Sequence, residues 1–196
     1  MSNKNVKTDN SNKYAKAALR KKFLPHNARV LDLFCGNGEM YKLAYKGNVA
    51  YYHGVDKEKI HDDTICTLCD NIDFIKNNDI SKYNVFDLDD YGCPWPLFYL
   101  ILRDAVQDEL IFYITDGLVY HQKLVGNVTK FVSATEGIPM GMNIPGINRF
   151  YVDIFATMLK DIKKRYGWET EKAVYFTNSK RTVYYWMLKM VKANRI

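Results

Sequence analysis

The chemically active side chains of this chain are mostly carboxylates, and they recur at the ends of apolar runs. In VLDLFCGNGEM, Asp32 lies in a run of strand character that gives way to Gly36 and Gly38 and then to helix-forming residues. Glycines at such a turn permit positive φ and carry no side chain, so the backbone can pass close beside a ligand at the carboxyl edge of a sheet. Asp56 ends VAYYHGVD, where one carboxylate can accept from both hydroxyls of a ribose. Asp70 ends TICTLCD in the same way. The competing role for each acid is turn-making or helix capping. A nicotinamide dinucleotide site would want a third small residue where Tyr41 stands, and a P-loop would need Gly-Lys-Ser/Thr, which does not follow.

The segment NVFDLDDYGCPWP, residues 84–96, concentrates the remaining chemistry. Asp89 offers a carboxylate that can accept hydrogen bonds from an amine, and Tyr91 and Trp95 offer faces on which a planar base could stack. Cys93 is a potential nucleophile, but a thiolate beside Asp87, Asp89 and Asp90 would have a raised pKa and low reactivity. The plainer alternative makes DDYG a turn and Trp95 an anchor of the core.

VLDLFCGNGEM resembles motif I of the class I S-adenosylmethionine-dependent methyltransferases. The resemblance implies S-adenosylmethionine as cofactor, held by Asp32, Phe34, Gly36, Gly38, Asp56, Asp70, Asn71 and Asp87, with Asp70 reaching the adenine amino group. Residues 84–96 resemble the D-L-D-P-[FY]-G-S-P signature of the tRNA guanine-N2 methyltransferases, with Asp90 in place of the proline and Cys93 in place of the serine. They are more distantly similar to the [DN]-P-P-[YF] of DNA adenine and cytosine N-methyltransferases. What this implies is methyl transfer to an exocyclic amino nitrogen of a nucleic acid base, in RNA (tRNA) or DNA, with Asp89, Tyr91 and Trp95 catalytic. A carbon-5 pyrimidine methyltransferase using Cys93 is the lesser enzymatic alternative, because such enzymes present Pro-Cys and this chain has Cys-Pro. A fold of this kind that binds cofactor or nucleic acid without turnover is the other.

The elements needed to position these residues can be read from periodicity. Helix is expected over 13–24, strand over 28–34, helix from the glycine turn to about Lys46, and strands over 49–56, 64–70, 83–89 and 109–119. Helices should fall between the third and fourth strands and over 97–106. Runs apolar on both faces that alternate with helices describe a parallel sheet covered on both sides. Residues 120–146 carry no periodicity and are the expected target-recognition loop, while Thr115, Asp116 and Gly117 should border the site. A helix beginning near Ile147 should bury Ile147, Tyr151, Ile154, Met158 and Ile162, and strands over 172–177 and 182–191 should form a closing hairpin. The expected architecture is therefore α/β and Rossmann-like: five parallel strands, then an antiparallel pair, in one domain over 13–196 behind a polar tail, 1–12.

Composition limits the rest. With 47% hydrophobic and 26% charged residues the chain has a globular balance, and no stretch approaches the roughly 18 apolar residues of a membrane span. With no membrane segment and a polar beginning, a cytoplasmic location is expected. Cys35, Cys66, Cys69 and Cys93 should then be reduced, and the lone Cys66/Cys69 pair and scattered histidines give no metal spacing. Basic residues outnumber acidic ones eight to one in residues 1–30 and thirteen to five in 120–196, whereas 31–119 has seven against sixteen. Lys13, Lys16, Arg20, Lys21 and Lys22 on the first helix, with Lys160, Lys163, Lys164 and Arg165 on the last, could form a basic rim for phosphates or simply solvated faces. A chain this small either recognises a local feature of its target or borrows recognition from a protein partner.

Overall fold

The computed structural model describes residues 12–58, 66–90, 93–117 and 144–193. The polar tail to residue 11, Tyr91, and residues 120–143 of the expected recognition loop lie outside them. The first helix, α1 (Lys13–Phe23), stops before Pro25, whose fixed φ and missing N–H do not continue a helix. Strands β1 (Arg29–Asp32), β2 (Tyr51–Asp56), β3 (Cys66–Leu68), β4 (Val85–Leu88) and β5 (Glu109–Asp116) follow. Helix α2 (Asn71–Asn77) links β3 to β4, and α3 (Trp95–Asp104) links β4 to β5. The chain then continues in α4 (Ile144–Tyr166), β6 (Trp168–Thr177) and β7 (Tyr184–Lys192).

All seven strands join one sheet in the order β3-β2-β1-β4-β5-β7-β6. The first five are parallel, and β7 runs antiparallel to both β5 and β6. This is the expected α/β architecture with its closing hairpin. The hairpin is longer than periodicity suggested, since β6 begins at Trp168, immediately after Gly167 turns the chain at φ 69°. A register shift between Thr170 and Lys172 breaks the alternation that would have revealed those extra residues.

Two apolar layers sandwich the sheet. One packs α2, α3 and α4 through Phe74, Trp95, Phe98, Tyr151, Ile154, Met158 and Ile162. The other packs α1 and the segment after the glycine turn through Ala17, Leu19, Met40, Ala44 and Tyr45. That segment departs from the α-helix expected through Lys46. Tyr41–Tyr45 is a π-helical turn closed by Lys46 N–H donating to the Tyr41 carbonyl at 2.8 Å, a widening that swings the Tyr45 hydroxyl onto the sheet.

The second layer also contains charge. Arg20, 2% exposed, forks onto Asp87 of β4, with Nε and Nη2 each 2.6 Å from a carboxylate oxygen. Tyr45 donates to the same carboxylate at 2.5 Å, and Tyr113 donates to the Arg20 carbonyl at 3.0 Å. Breaking such a pair strands a charge in the core, which costs about 3–5 kcal/mol. Urea unfolding should therefore show Arg20→Leu destabilised on that scale, and the double variant Arg20→Leu/Asp87→Leu should recover a good part of the loss.

Candidate active site

The carboxyl ends of the parallel strands gather the expected acids along one edge. Asp32 and Asp87 are register partners on β1 and β4, and both are buried. Asp32 accepts from the Tyr52 hydroxyl at 2.8 Å and from Phe34 N–H at 3.2 Å, so it holds the start of the glycine turn from beneath. Burial, and then the neighbouring charge of Asp87, push its carboxyl well above the ordinary range. The site role expected for Asp87 needs correcting: its oxygens are taken by Arg20 and Tyr45 within the core, so it faces away from the edge.

The turn above them has the form the glycines allow. Gly36 and Gly38 adopt φ of 48° and 72°, and Gly36 N–H donates to Asp56 at 2.9 Å. The other Asp56 oxygen accepts from Glu58 N–H at 2.9 Å, so both oxygens are fixed while each keeps a lone pair. A Cβ on Gly36 would meet only the Phe34 carbonyl, at 3.9 Å, which leaves the space over the turn open. Asp70 caps α2 by accepting from Ile72 and Asp73 N–H through Oδ1, the structural role weighed for it above. Beside it, Asn71 Oδ1 is buried and has no hydrogen-bond donor among the described residues. A buried acceptor without a donor is costly, and it marks a place where an incoming amino group would be welcome. The turn, the Asp56 carboxylate and the Asn71 oxygen together fit an adenosine-bearing cofactor.

Asp89 lies just beyond β4. Lys16 reaches down from α1 and places Nζ 2.9 and 2.6 Å from its two oxygens, and Thr115 at the end of β5 donates to Oδ1 at 2.5 Å. The Arg20 guanidinium stands 3.7 Å away. Burial alone would raise the Asp89 pKa, but the Lys16 and Arg20 charges more than offset it and hold the carboxyl below its ordinary range. Oδ1 is thus doubly occupied, while Oδ2, which among the described residues accepts from Lys16 and faces the Arg20 guanidinium at 3.7 Å, keeps an accepting position. Thr115 borders the site as expected. Lys16 was readable only as one of five basic residues on a helix; its spacing of three from Lys13 and four from Arg20, which aligns all three on one face, was the available signal.

That spacing corrects the basic rim. Lys13 is bonded to Glu39 at 2.7 Å, Lys16 to Asp89 and Arg20 to Asp87, so this face of α1 serves the acidic edge, while Lys21 and Lys22 remain exposed. Trp95 is corrected too. It is 1% exposed, its Nε1–H donates to Asp116 at 3.0 Å and Tyr151 donates to the same carboxylate, so it is a core anchor out of reach of a base. Cys93 has its thiol pushed up to about 12, by burial first and then by Asp116 and Asp90, which makes it a poor nucleophile. Finally, Cys35 and Cys66, expected as reduced thiols, bring their sulfurs together with their Cα atoms 7.6 Å apart, wider than a relaxed disulfide spans. They meet because Gly54 lies between them: a Cβ there would come within 2.8 Å of both sulfurs.

No protein-family model and no curated protein matches the sequence. Solved structures do match in fold. TYW2 of M. jannaschii, crystallised with AdoMet, aligns over 96% of this chain and 79% of its own at 9% identity, with a TM-score of 0.59. The plantazolicin methyltransferase BpumL, crystallised with a pentazolic desmethylPZN analog and SAH, aligns over 93% and 86% at 17% identity and a TM-score of 0.52. The Escherichia coli protein yhhF, a proposed methyltransferase, aligns over 97% and 90% at 13% identity and a TM-score of 0.53. The fold of this chain is the class I methyltransferase fold.

The Lys16–Asp89 pair has a measurable consequence. A carboxyl held below its ordinary pKa of about 3.9 adds stability that is complete above that value and is lost as pH falls through the lower, folded-state value. In Lys16→Met the Asp89 carboxyl resonance should titrate at higher pH than in wild type, and acid unfolding should begin earlier. An unchanged Asp89 titration would show that Lys16 does not set its charge.

Proposed function

We propose that this protein is an S-adenosylmethionine-dependent methyltransferase that acts on an exocyclic amino nitrogen of a nucleic acid base. The observation that carries the reading is the ionised Asp89, anchored by Lys16 and Thr115 at the end of β4, on the same edge as the open glycine turn. Support for the cofactor comes from the fit of the turn, Asp56 and Asn71, and from the AdoMet and SAH carried by proteins that share the fold. Gly36 and Gly38 would flank it, Asp56 would take the ribose hydroxyls, and Asn71 with Asp70 would meet the adenine. Bound there, S-adenosylmethionine supplies a methyl group made electrophilic by a sulfonium.

An exocyclic amine is a weak nucleophile because its lone pair is delocalised into the ring. Asp89 Oδ2 accepts one amine hydrogen and so favours a lone pair directed out of the ring plane. Once the new N–C bond has replaced the S–C bond of the sulfonium, which departs as a thioether, Asp89 would receive the proton of the cationic amine nitrogen, for which even a carboxylate held below its ordinary pKa is base enough. Trp95 is committed to the core, so of the two aromatics expected to stack on the base the role passes to Tyr91, which lies outside the described residues. The carbon-5 alternative is disfavoured by the raised Cys93 pKa.

Three variants separate these roles. Calorimetry should show S-adenosylmethionine binding weakened about tenfold or more in Asp56→Ala, which loses a charge-assisted acceptor. Asp89→Ala should keep cofactor affinity within a few-fold yet lose on the order of a hundredfold in methyl transfer to nucleic acid, with Asp89→Asn retaining part of it. Cys93→Ser should be active. A tritiated-methyl assay on total tRNA and genomic DNA, followed by nucleoside analysis, reads the last two; an active Asp89→Ala beside an inert Cys93→Ser would establish carbon-5 chemistry instead.

A further inference from the structure

Strand polarity brings two exposed features to the edge that carries Asp89. Because β7 is antiparallel to β5, its first residues lie beside the carboxyl end of β5: Tyr184 pairs with Asp116 and Tyr185 with Thr115, the residue bonded to Asp89. The β6–β7 turn, residues 178–183, therefore projects from that edge. At ~3.3 Å per residue its tip stands roughly 10 Å beyond the level of Thr115. Ser179, Lys180 and Arg181 are exposed on it.

The tip is a fixed shape. Asn178 Oδ1 accepts from Thr182 N–H at 2.8 Å and from Val183 N–H at 3.3 Å, and its Nδ2 donates to Thr182 Oγ1 at 3.0 Å. Arg181 N–H donates to the Asn178 carbonyl at 3.0 Å, and Arg181 itself sits at φ 49°, the one positive φ outside glycine among the described residues. A long cationic side chain is thus held, exposed, on left-handed backbone.

Across the edge is the first turn of α1. Asn12 donates to the Tyr185 hydroxyl at 3.1 Å and Lys13 bonds Glu39 just past Gly38, so this turn is bracketed between the start of β7 and the glycine turn. Tyr14 stands out from it, 70% exposed, with Lys13 Nζ 5.3 Å from its ring centre. An exposed aromatic and two exposed cations beside the edge that carries Asp89 make the pairing used to hold single strands: a base stacks on the ring and a phosphate meets the cations. A rigid duplex cannot offer an unstacked base to Tyr14 while its target base is at Asp89.

We propose that Tyr14 and the Lys180–Arg181 tip form a single-strand docking surface, with Tyr14 stacking on a base flanking the target and the tip gripping the backbone phosphate. This rests on the reading that the substrate is a nucleic acid, and it assigns the strandedness and the contacts that reading leaves open. It also makes recognition partly intrinsic to the described chain.

The test measures binding of full-length protein to a fluorescent single-stranded RNA and DNA oligonucleotide, and to the matching duplex, across a salt series. Wild type should prefer the single strand. Lys180→Ala/Arg181→Ala should weaken single-strand binding and flatten the log–log salt dependence by about 1.4, the loss of two phosphate contacts at ~0.7 each. Tyr14→Ala should weaken binding several-fold with an unchanged salt slope, and Tyr14→Phe should restore it. S-adenosylmethionine affinity by calorimetry and the urea midpoint should be unchanged in all of these, which separates docking from folding. Wild-type binding with an unaltered slope in the double variant, no effect of Tyr14→Ala, or equal preference for duplex would overturn the docking surface and leave the nucleic acid reading standing. Wild type that binds no nucleic acid at low salt yet binds S-adenosylmethionine would overturn both.

Discussion

Two carboxylates in register on neighbouring strands, Asp32 and Asp87, are the constraint around which the rest is arranged. Buried side by side, both cannot be charged without a cation to compensate them. The protein resolves this unequally: Arg20 and Tyr45 both bond Asp87, while Asp32 is pushed toward its neutral form and keeps Tyr52 and the Phe34 N–H as partners. Arg20 can reach Asp87 only if α1 lies across the strands, and once α1 lies there, Lys16 falls on Asp89 and Lys13 on Glu39. One buried ion pair thereby fixes the helix that sets the charge state of the edge above it.

The sequence carried the frame of this arrangement more clearly than its interior. Local signals were enough for β1, the turn at Gly36 and Gly38, the acid ending β2, the buried face Tyr151-Ile154-Met158-Ile162, and the hairpin, since each depends on residues a few positions apart. Asp87 and Trp95 were misplaced because their motif says which loop they belong to and nothing about which way a side chain points. Asp87 points under the sheet edge to Arg20, and Trp95 turns inward to Asp116. The basic face of α1 was equally opaque: lysines on a helix are solvated by default, and only partners 67 and 73 residues away make Arg20 and Lys16 internal. The Cys35–Cys66 contact spans 31 residues and exists because a glycine on the intervening strand leaves room, a coincidence no spacing rule encodes.

Fold and substrate separate here in an instructive way. BpumL methylates plantazolicin, and it shares the architecture at 17% identity with a chain whose β4 end resembles base-modifying enzymes. The sheet and glycine turn form a common platform for the cofactor, while the choice of acceptor is left to whatever follows β4 and surrounds it. In this chain the end of β4 is surrounded by residues far apart along the polypeptide: Lys16 before the sheet and Thr115 at the end of β5, beside the start of β7.

That dispersal has a consequence for the order in which the polypeptide becomes a protein. Helix α1 is synthesised before every strand it serves, and its contacts close loops of 67, 73 and, from Asn12 to Tyr185, 173 residues. Contacts so distant in sequence incur their loop-closure entropy before they contribute any stability, which favours docking of the helix after β4 and β7 have joined the sheet. Until then the nascent chain presents a basic helix, and the strand that will receive it holds Asp32 and Asp87 without their cation. Assembly of the edge around Asp89 and completion of the fold are therefore coupled, and an incompletely folded chain has no Lys16-anchored Asp89.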